Sequence, residues 1–140
     1  MPFTKILVAI DGSPGGQKAL ETSLELAKLT GASLHALAVE GRLPAYAATV
    51  GEVDEVKQEK DEFFSKLTRL ACDQAAEEGL QLEVDVVPGH AADLIVRYAS
   101  ERSFDLVVVG HKGHFLEDYL LGSTADRVAH HASCPVMIVK

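Results

Sequence analysis

The sequence predicts an α/β fold: one domain over residues 1–140, with a five-stranded parallel sheet and helices on both faces. Three observations carry this. Strand-like and helix-like segments alternate in the order βαβαβαβαβ. The segments Lys5–Ile10 and Leu106–Val109 are continuous apolar runs, the pattern of strands covered on both faces. The chain has 140 residues, 47% hydrophobic and 24% charged, which suits one core in an ordinary globular protein.

Each element has its own warrant. Lys5–Ile10 (KILVAI) is rich in β-branched residues and opens the sheet. Ser13 and Pro14 then read as an N-cap followed by proline at the first helical position. Ala19, Leu20, Ser23, Leu24 and Ala27 recur at helical spacing, and Thr30-Gly31 supplies the stop. Ser33–Val39 is the second strand. Gly41–Gly51, with Pro44, reads as a loop of small residues. Val53–Glu78 reads as a long polar helix with a narrow apolar stripe of Val56, Phe63 or Phe64, Leu67, Leu70 and Ala71, ended by Gly79. Leu82–Val87 is the third strand, closed by Pro88-Gly89. Ala91–Glu101 is the third helix, carrying Leu94, Ile95, Tyr98 and Ala99. Leu106–Val109 is the fourth strand, Gly110–Gly122 is irregular, Ser123–His131 is the fourth helix and Pro135–Val139 the last strand. In such a sheet a ligand belongs beyond the carboxyl ends of the strands, where the winding direction switches. Those ends are Asp11, Val39-Glu40 and Gly110.

Charge and composition narrow the function. With 13 Lys+Arg against 21 Asp+Glu the net charge is −8, which repels phosphate backbones and anionic lipid at long range. No nucleic-acid or membrane partner is expected. Half of that charge sits in Glu52–Glu62, where six acids face two lysines. From Gly110 to Lys140 the charges balance, so this segment does not exclude an anionic ligand. The longest apolar runs are far too short to cross a bilayer. No basic start followed by an apolar stretch appears at Met1. Cys72 and Cys134 fit no metal or redox spacing. The expectation is a cytoplasmic protein with reduced thiols and no metal site.

The informative stretch is Val109–Val128, VGHKGHFLEDYLLGSTADRV. Gly110 and Gly113 bracket a turn at the end of a buried strand. Gly122-Ser123-Thr124 opens a helix, with Ser123 and Asp126 at capping-box spacing. Glycines let backbone N–H groups face a ligand, and a helix N-terminus offers unpaired donors with a partial positive charge. Together with the Ser123 and Thr124 hydroxyls these form a phosphate cradle; the same residues also fit an ordinary strand–loop–helix connection. Lys112 is either a counter-charge to phosphate or a surface lysine. His111 and His114 are either phosphate or metal donors or solvated loop residues. No G-x-G-x-x-G, Walker or nucleophile-elbow pattern is present.

These residues carry a resemblance. KILVAIDGS at 5–13, DLVVVGHKG at 105–113 and LLGSTADRVAHHASCPVMIVK at 120–140 resemble the universal stress protein family over nearly the whole chain. The resemblance implies an adenine nucleotide alpha-hydrolase-like, Rossmann-like sheet, and commonly a homodimer built through the last strand, here Val136–Val139. It is to the branch that binds ATP and carries G-x2-G-x9-G-[S/T]. Gly110, Gly113, Gly122 and Ser123 match in type, with eight residues rather than nine between the second and third glycine. By that match these residues hold phosphates, Asp11 meets ribose or adenine, backbone at Val39 meets the adenine edge and Val109 flanks the base. Ala9 stands where binding members sometimes have Pro.

Three functions follow. The first is an ATP-binding regulatory module of stress response, with Mg²⁺ or without, acting as a homodimer on an unknown protein partner. The second is an enzyme that turns ATP over slowly at most; it needs carboxylates on Mg²⁺ and a water-orienting group, and no dedicated pair stands out beside Asp11 and the histidines. The third is a dimeric interaction module of the same family that binds no nucleotide, which the shortened spacing supports.

Overall fold

The structure is a computed structural model that describes residues 3–40, 50–111 and 122–140. Its elements run β1 (Lys5–Ile10), α1 (Pro14–Thr30), β2 (Ser33–Glu40), α2 (Val50–Glu77), β3 (Leu82–Pro88), α3 (Ala91–Glu101), β4 (Leu106–Gly110), α4 (Ser123–His131) and β5 (Val136–Val139). The five strands form one parallel sheet in the order β3-β2-β1-β4-β5. β1 is therefore central, and β3 and β5 are the edges. The register runs from Lys5 opposite Ser33 to Ile10 opposite Ala38, and from Ile6 opposite Leu106 to Val8 opposite Val108.

Strand alternation sorts the core into two layers. Ile6, Val8 and Ile10 face α1 and α2, meeting Leu20, Leu24, Ala71 and Ala75. Leu7, Leu37, Val107 and Val109 face α3 and α4, meeting Ile95, Ala99, Ala125 and Val128. Ile6, Leu7 and Val8 are fully buried, and each such side chain stabilises the fold by roughly 1.5–3 kcal/mol.

The first helix begins and ends as its residues dictate. Ser13 Oγ accepts from the Gly16 amide at 3.1 Å, Pro14 occupies the first turn, and Gly31 closes the helix in the left-handed region at φ 73°. Two expectations need correcting. α2 starts at Val50, so Val50 and Gly51 belong to the helix; residues 41–49 of the expected loop lie outside those described. Its core stripe is Phe64, Leu67, Ala71 and Ala75, whereas Phe63 and Leu70 are half-exposed. At about 100° per residue the first set falls on one face and the second beside it. Side chains of 50–54 and 56, Val56 among them, are outside the described set.

Two polar clusters fix the periphery. The Asp105 carboxylate accepts from the Thr4 amide and hydroxyl, both at 2.8 Å, and from the Lys5 amide at 3.1 Å. This ties the start of β1 to the turn before β4. On the β3 edge, His35 Nε2 lies 3.0 Å from Asp85 Oδ2 and 3.0 Å from Tyr98 Oη, joining β2, β3 and α3. Both cysteines are free, and burial first and the Asp105 charge second push the Cys134 thiol up, keeping it protonated.

Gly110 has a packing reason of its own. A Cβ there would lie 2.6 Å from the Gly15 carbonyl carbon and oxygen. Gly110→Ala is expected to cost about 1–3 kcal/mol in urea unfolding, because backbone at α1 must move. Burial pushes the Asp105 carboxyl up, but hydrogen bonds from Thr4 and Lys5 outweigh it and hold it below the usual carboxylate value. A lowered native pKa contributes stability above the unfolded value of about 4 and loses it as pH falls through the native one. Unfolding midpoints measured from pH 7 downward should fall less steeply in Asp105→Asn, which starts less stable.

Candidate functional site

The winding direction switches between β1 and β4: β2 and β3 lie to one side, β5 to the other. A cleft of about 280 Å³ opens there, above the carboxyl ends of the strands. Ala9, Asp11, Val39, Val109, Gly110, Gly122, Ser123 and Thr124 all line it. These eight sequence-selected residues, drawn from three strands, a turn and a helix start, meet at one place. Lys112 and Gly113 lie outside the described residues, as does His114.

The cleft is divided in character. One wall is apolar, formed by Ala9, Leu37, Val39, Ile95 and Val109. β1 stops at Ile10 opposite Ala38, so Val39 and Glu40 continue past it along the crevice. At the β1–α1 turn stands Asp11. Its Oδ1 accepts from the Ser13 amide at 2.9 Å and the Ser13 hydroxyl at 2.5 Å. Oδ2 accepts no hydrogen bond among the described residues, which leaves it for a ligand hydroxyl or amine. Asp11 is the one ionisable side chain among the described lining residues.

The start of α4 lines the same cleft. Gly122 is its N-cap at φ −62° and ψ 148°, and as a glycine it has no side chain to cap the helix. Ser123 is therefore the first helical residue, and the expected Ser123–Asp126 capping box does not form. The cause is local. The Gly122 amide donates to the His111 carbonyl at 2.8 Å, which holds residue 122 outside the helix, and the Asp126 amide makes the first helical bond to the Gly122 carbonyl. Gly122, Ser123 and Thr124, the residues that open this helix and leave first-turn N–H groups without intrahelical partners, line the cleft. His111 is fixed in turn by its amide, which donates to the Val139 carbonyl at 2.7 Å.

This arrangement suits an elongated ligand with a flat apolar-faced end, hydroxyls in the middle and an anionic tail. The apolar wall accepts the flat end, Oδ2 of Asp11 accepts hydroxyls, and an anion is stable at the α4 start, not beside the carboxylate. A nucleotide has this order of groups. Sequence reasoning missed Ser13, Gly16, Leu37, Ala91, Ile95 and Ala125, which also line the cleft. Leu37 was recoverable by strand parity from Val39. Ile95 and Ala91 were not, because nothing local to α3 states which strand end its first turns cover. No group of three metal-ligating side chains occurs among the described residues, and none of their helices is long and apolar enough to cross a membrane.

Comparison with known proteins places this geometry in a family. The model of the universal stress protein family matches residues 2–140. Universal stress protein YxiE of Bacillus subtilis is 34% identical over 147 residues, covering 99% of this chain and 99% of its own. Universal stress protein UspA from Lactobacillus plantarum has a similar structure, with TM-score 0.89 at 24% identity over 100% of this chain and 99% of its own, which speaks to the fold. A universal stress protein crystallised in complex with cAMP has TM-score 0.77 at 26% identity, over 100% of this chain and 99% of its own. With one family model spanning 2–140 and a relative matched from end to end, the chain belongs to the universal stress protein family.

Proposed function

We propose that the cleft at the β1–β4 switch point holds an adenine nucleotide, ATP in the first instance, and that the protein is a nucleotide-holding regulatory module of stress response. The observation that carries this is the polarity of the cleft. Its lining combines apolar side chains, a carboxylate oxygen that accepts no hydrogen bond among the described residues, and a helix start with two hydroxyl residues. A relative whose structure is described in complex with cAMP supports the adenine reading.

In this reading the base lies against Val39 and Val109, and Asp11 accepts from the sugar. The phosphates meet Gly110, Gly122, Ser123 and Thr124, with Gly113 and Lys112 completing the cradle. Neutral donors carry most of the phosphate recognition, so Mg²⁺ bound with ATP strengthens the complex by offsetting charge that the protein does not offset. The reading assigns holding, with turnover slow at most. Two copies pair through the edge of β5 (Val136–Val139), whose backbone groups on the side away from β4 are a template for another strand. The eight-residue spacing between Gly113 and Gly122 favours a second reading, a dimeric interaction module without nucleotide.

Calorimetric titration of the nucleotide-stripped protein with ATP, with and without Mg²⁺, separates the two. One saturable site per chain is expected; no heat and no thermal shift at millimolar ATP would select the second reading. Gly122→Val is expected to abolish saturation by placing a branched side chain at the α4 start, with the unfolding midpoint retained. Unchanged affinity in that variant would sink the site assignment. Asp11→Ala should weaken ATP about tenfold, near 1.4 kcal/mol, through lost sugar contacts, and should weaken a ligand lacking ribose hydroxyls less.

A further inference from the structure

Ser13, in the turn between β1 and α1, is only 1% exposed, whereas Asp11 two residues before it is open to solvent. The Ser13 hydroxyl makes two hydrogen bonds. It accepts from the Gly16 amide at 3.1 Å and donates to Asp11 Oδ1 at 2.5 Å. Both directions are forced. An amide N–H only donates and an ionised carboxylate only accepts, so the single hydroxyl proton goes to Asp11. Capping α1 uses the acceptor half of that hydroxyl and makes no use of its proton. The bond to Asp11 is therefore something a helix cap does not require.

The rest of the turn serves the same carboxylate oxygen. The Ser13 amide also donates to Oδ1, at 2.9 Å. Gly16 leaves room for it, because a Cβ on Gly16 would lie 2.7 Å from Oδ1. Behind the turn the Phe63 ring rests on Gly12, whose φ is +82°; a Cβ there would lie 2.7 Å from Phe63 Cζ. Oδ1 is thus held twice by one residue, and Oδ2 is left without a hydrogen bond among the described residues. An exposed aspartate without such a hold samples several staggered rotamers, and a ligand that uses it must first order it.

We propose that Ser13 is a positioning residue for ligand recognition in the cleft. Its hydroxyl proton holds Asp11 in one orientation, with Oδ1 drawn onto the start of α1 and Oδ2 kept as the acceptor for a ligand hydroxyl. This rests on the reading of the cleft as a nucleotide site with Asp11 toward the sugar. Asp11 meets the ligand and Ser13 acts through it. Ser13 accordingly contributes to selection as well as affinity, because only a ligand that brings a sugar hydroxyl gains from the ordered carboxylate.

The test is a double-mutant cycle on the full chain, stripped of nucleotide and titrated by calorimetry with ATP and with its dideoxyribose analogue. Ser13→Ala should weaken ATP about threefold, the effect of leaving one side chain to be ordered on binding, and should leave the dideoxy analogue unchanged. In an Asp11→Ala background the same substitution should change neither ligand. Unfolding midpoints report the helix cap separately, and Ser13→Ala should lower them in both backgrounds. Ser13→Gly also removes the hydroxyl but retains most of the capping stability, so it should weaken ATP as much as Ser13→Ala does from a higher midpoint. A purely structural role would weaken both ligands alike, in both backgrounds and in step with the midpoint, and that result overturns the proposal. If the unsubstituted protein binds no ATP, the reading of the cleft falls and the proposal falls with it. ATP binding without coupling between Ser13 and Asp11 overturns the proposal alone.

Discussion

The cleft depends on a single close approach, that of Gly110 at the end of β4 to the Gly15 peptide in the first turn of α1. No side chain stands between the two backbones, since a Cβ on Gly110 would lie 2.6 Å from Gly15 carbonyl atoms. Gly16 is under a similar constraint, because a Cβ there would lie 2.7 Å from Asp11 Oδ1. These contacts bring the start of α1 down onto the switch point of the sheet. They also fix Asp11, whose Oδ1 is occupied by Ser13. A glycine at the end of β4 is thus required by packing before any ligand is considered. The same small residues that suggest a phosphate turn in the sequence are what allow the crevice to exist.

A second constraint works through backbone alone. His111 donates to Val139 on β5 and accepts from Gly122 at the head of α4. One residue therefore joins the edge strand to the helix start that borders the cleft. The edge proposed for pairing between copies and the end proposed for phosphate share a hydrogen-bonded neighbour. Asp11 and the α4 start line the same cleft with opposite preferences for charge.

The acidic balance of the chain acts at the level of surfaces. It is not spread evenly: six acids against two lysines fall in Glu52–Glu62, the first part of α2. Phe63 on the same helix touches the glycine that follows Asp11. Ile10 and Gly16 border both the cleft and a hollow between α1 and α2.

Periodicity and end signals alone determined most of the architecture. α1, α3 and α4 run over the expected residues because Ser13, Pro14 and Gly31 state their limits locally, and because the α3 stripe repeats at 3.6 residues. The buried strands were legible because only a covered strand tolerates runs such as Lys5–Ile10. Asp11, Val39, Gly110, Gly122, Ser123 and Thr124 were legible because strand ends and a glycine-opened helix are local features, whereas Ala9 and Val109 were reached through the family resemblance. The start of α2 was not legible, since Gly51 reads as a loop residue in the sequence. Nor was the division of its apolar residues, since Phe63 and Phe64 read alike until the sheet chooses a face. Ser123 looks like a cap by spacing, and only the long-range bond from Gly122 to His111 moves that role to Gly122. The sequence determined which segments are strands and helices and where their ends point, because those depend on neighbours within a turn. The tertiary structure alone decided which of those ends share a crevice, which glycines exist for packing and which apolar side chains stay outside, because those depend on backbones far apart in sequence meeting within van der Waals distance.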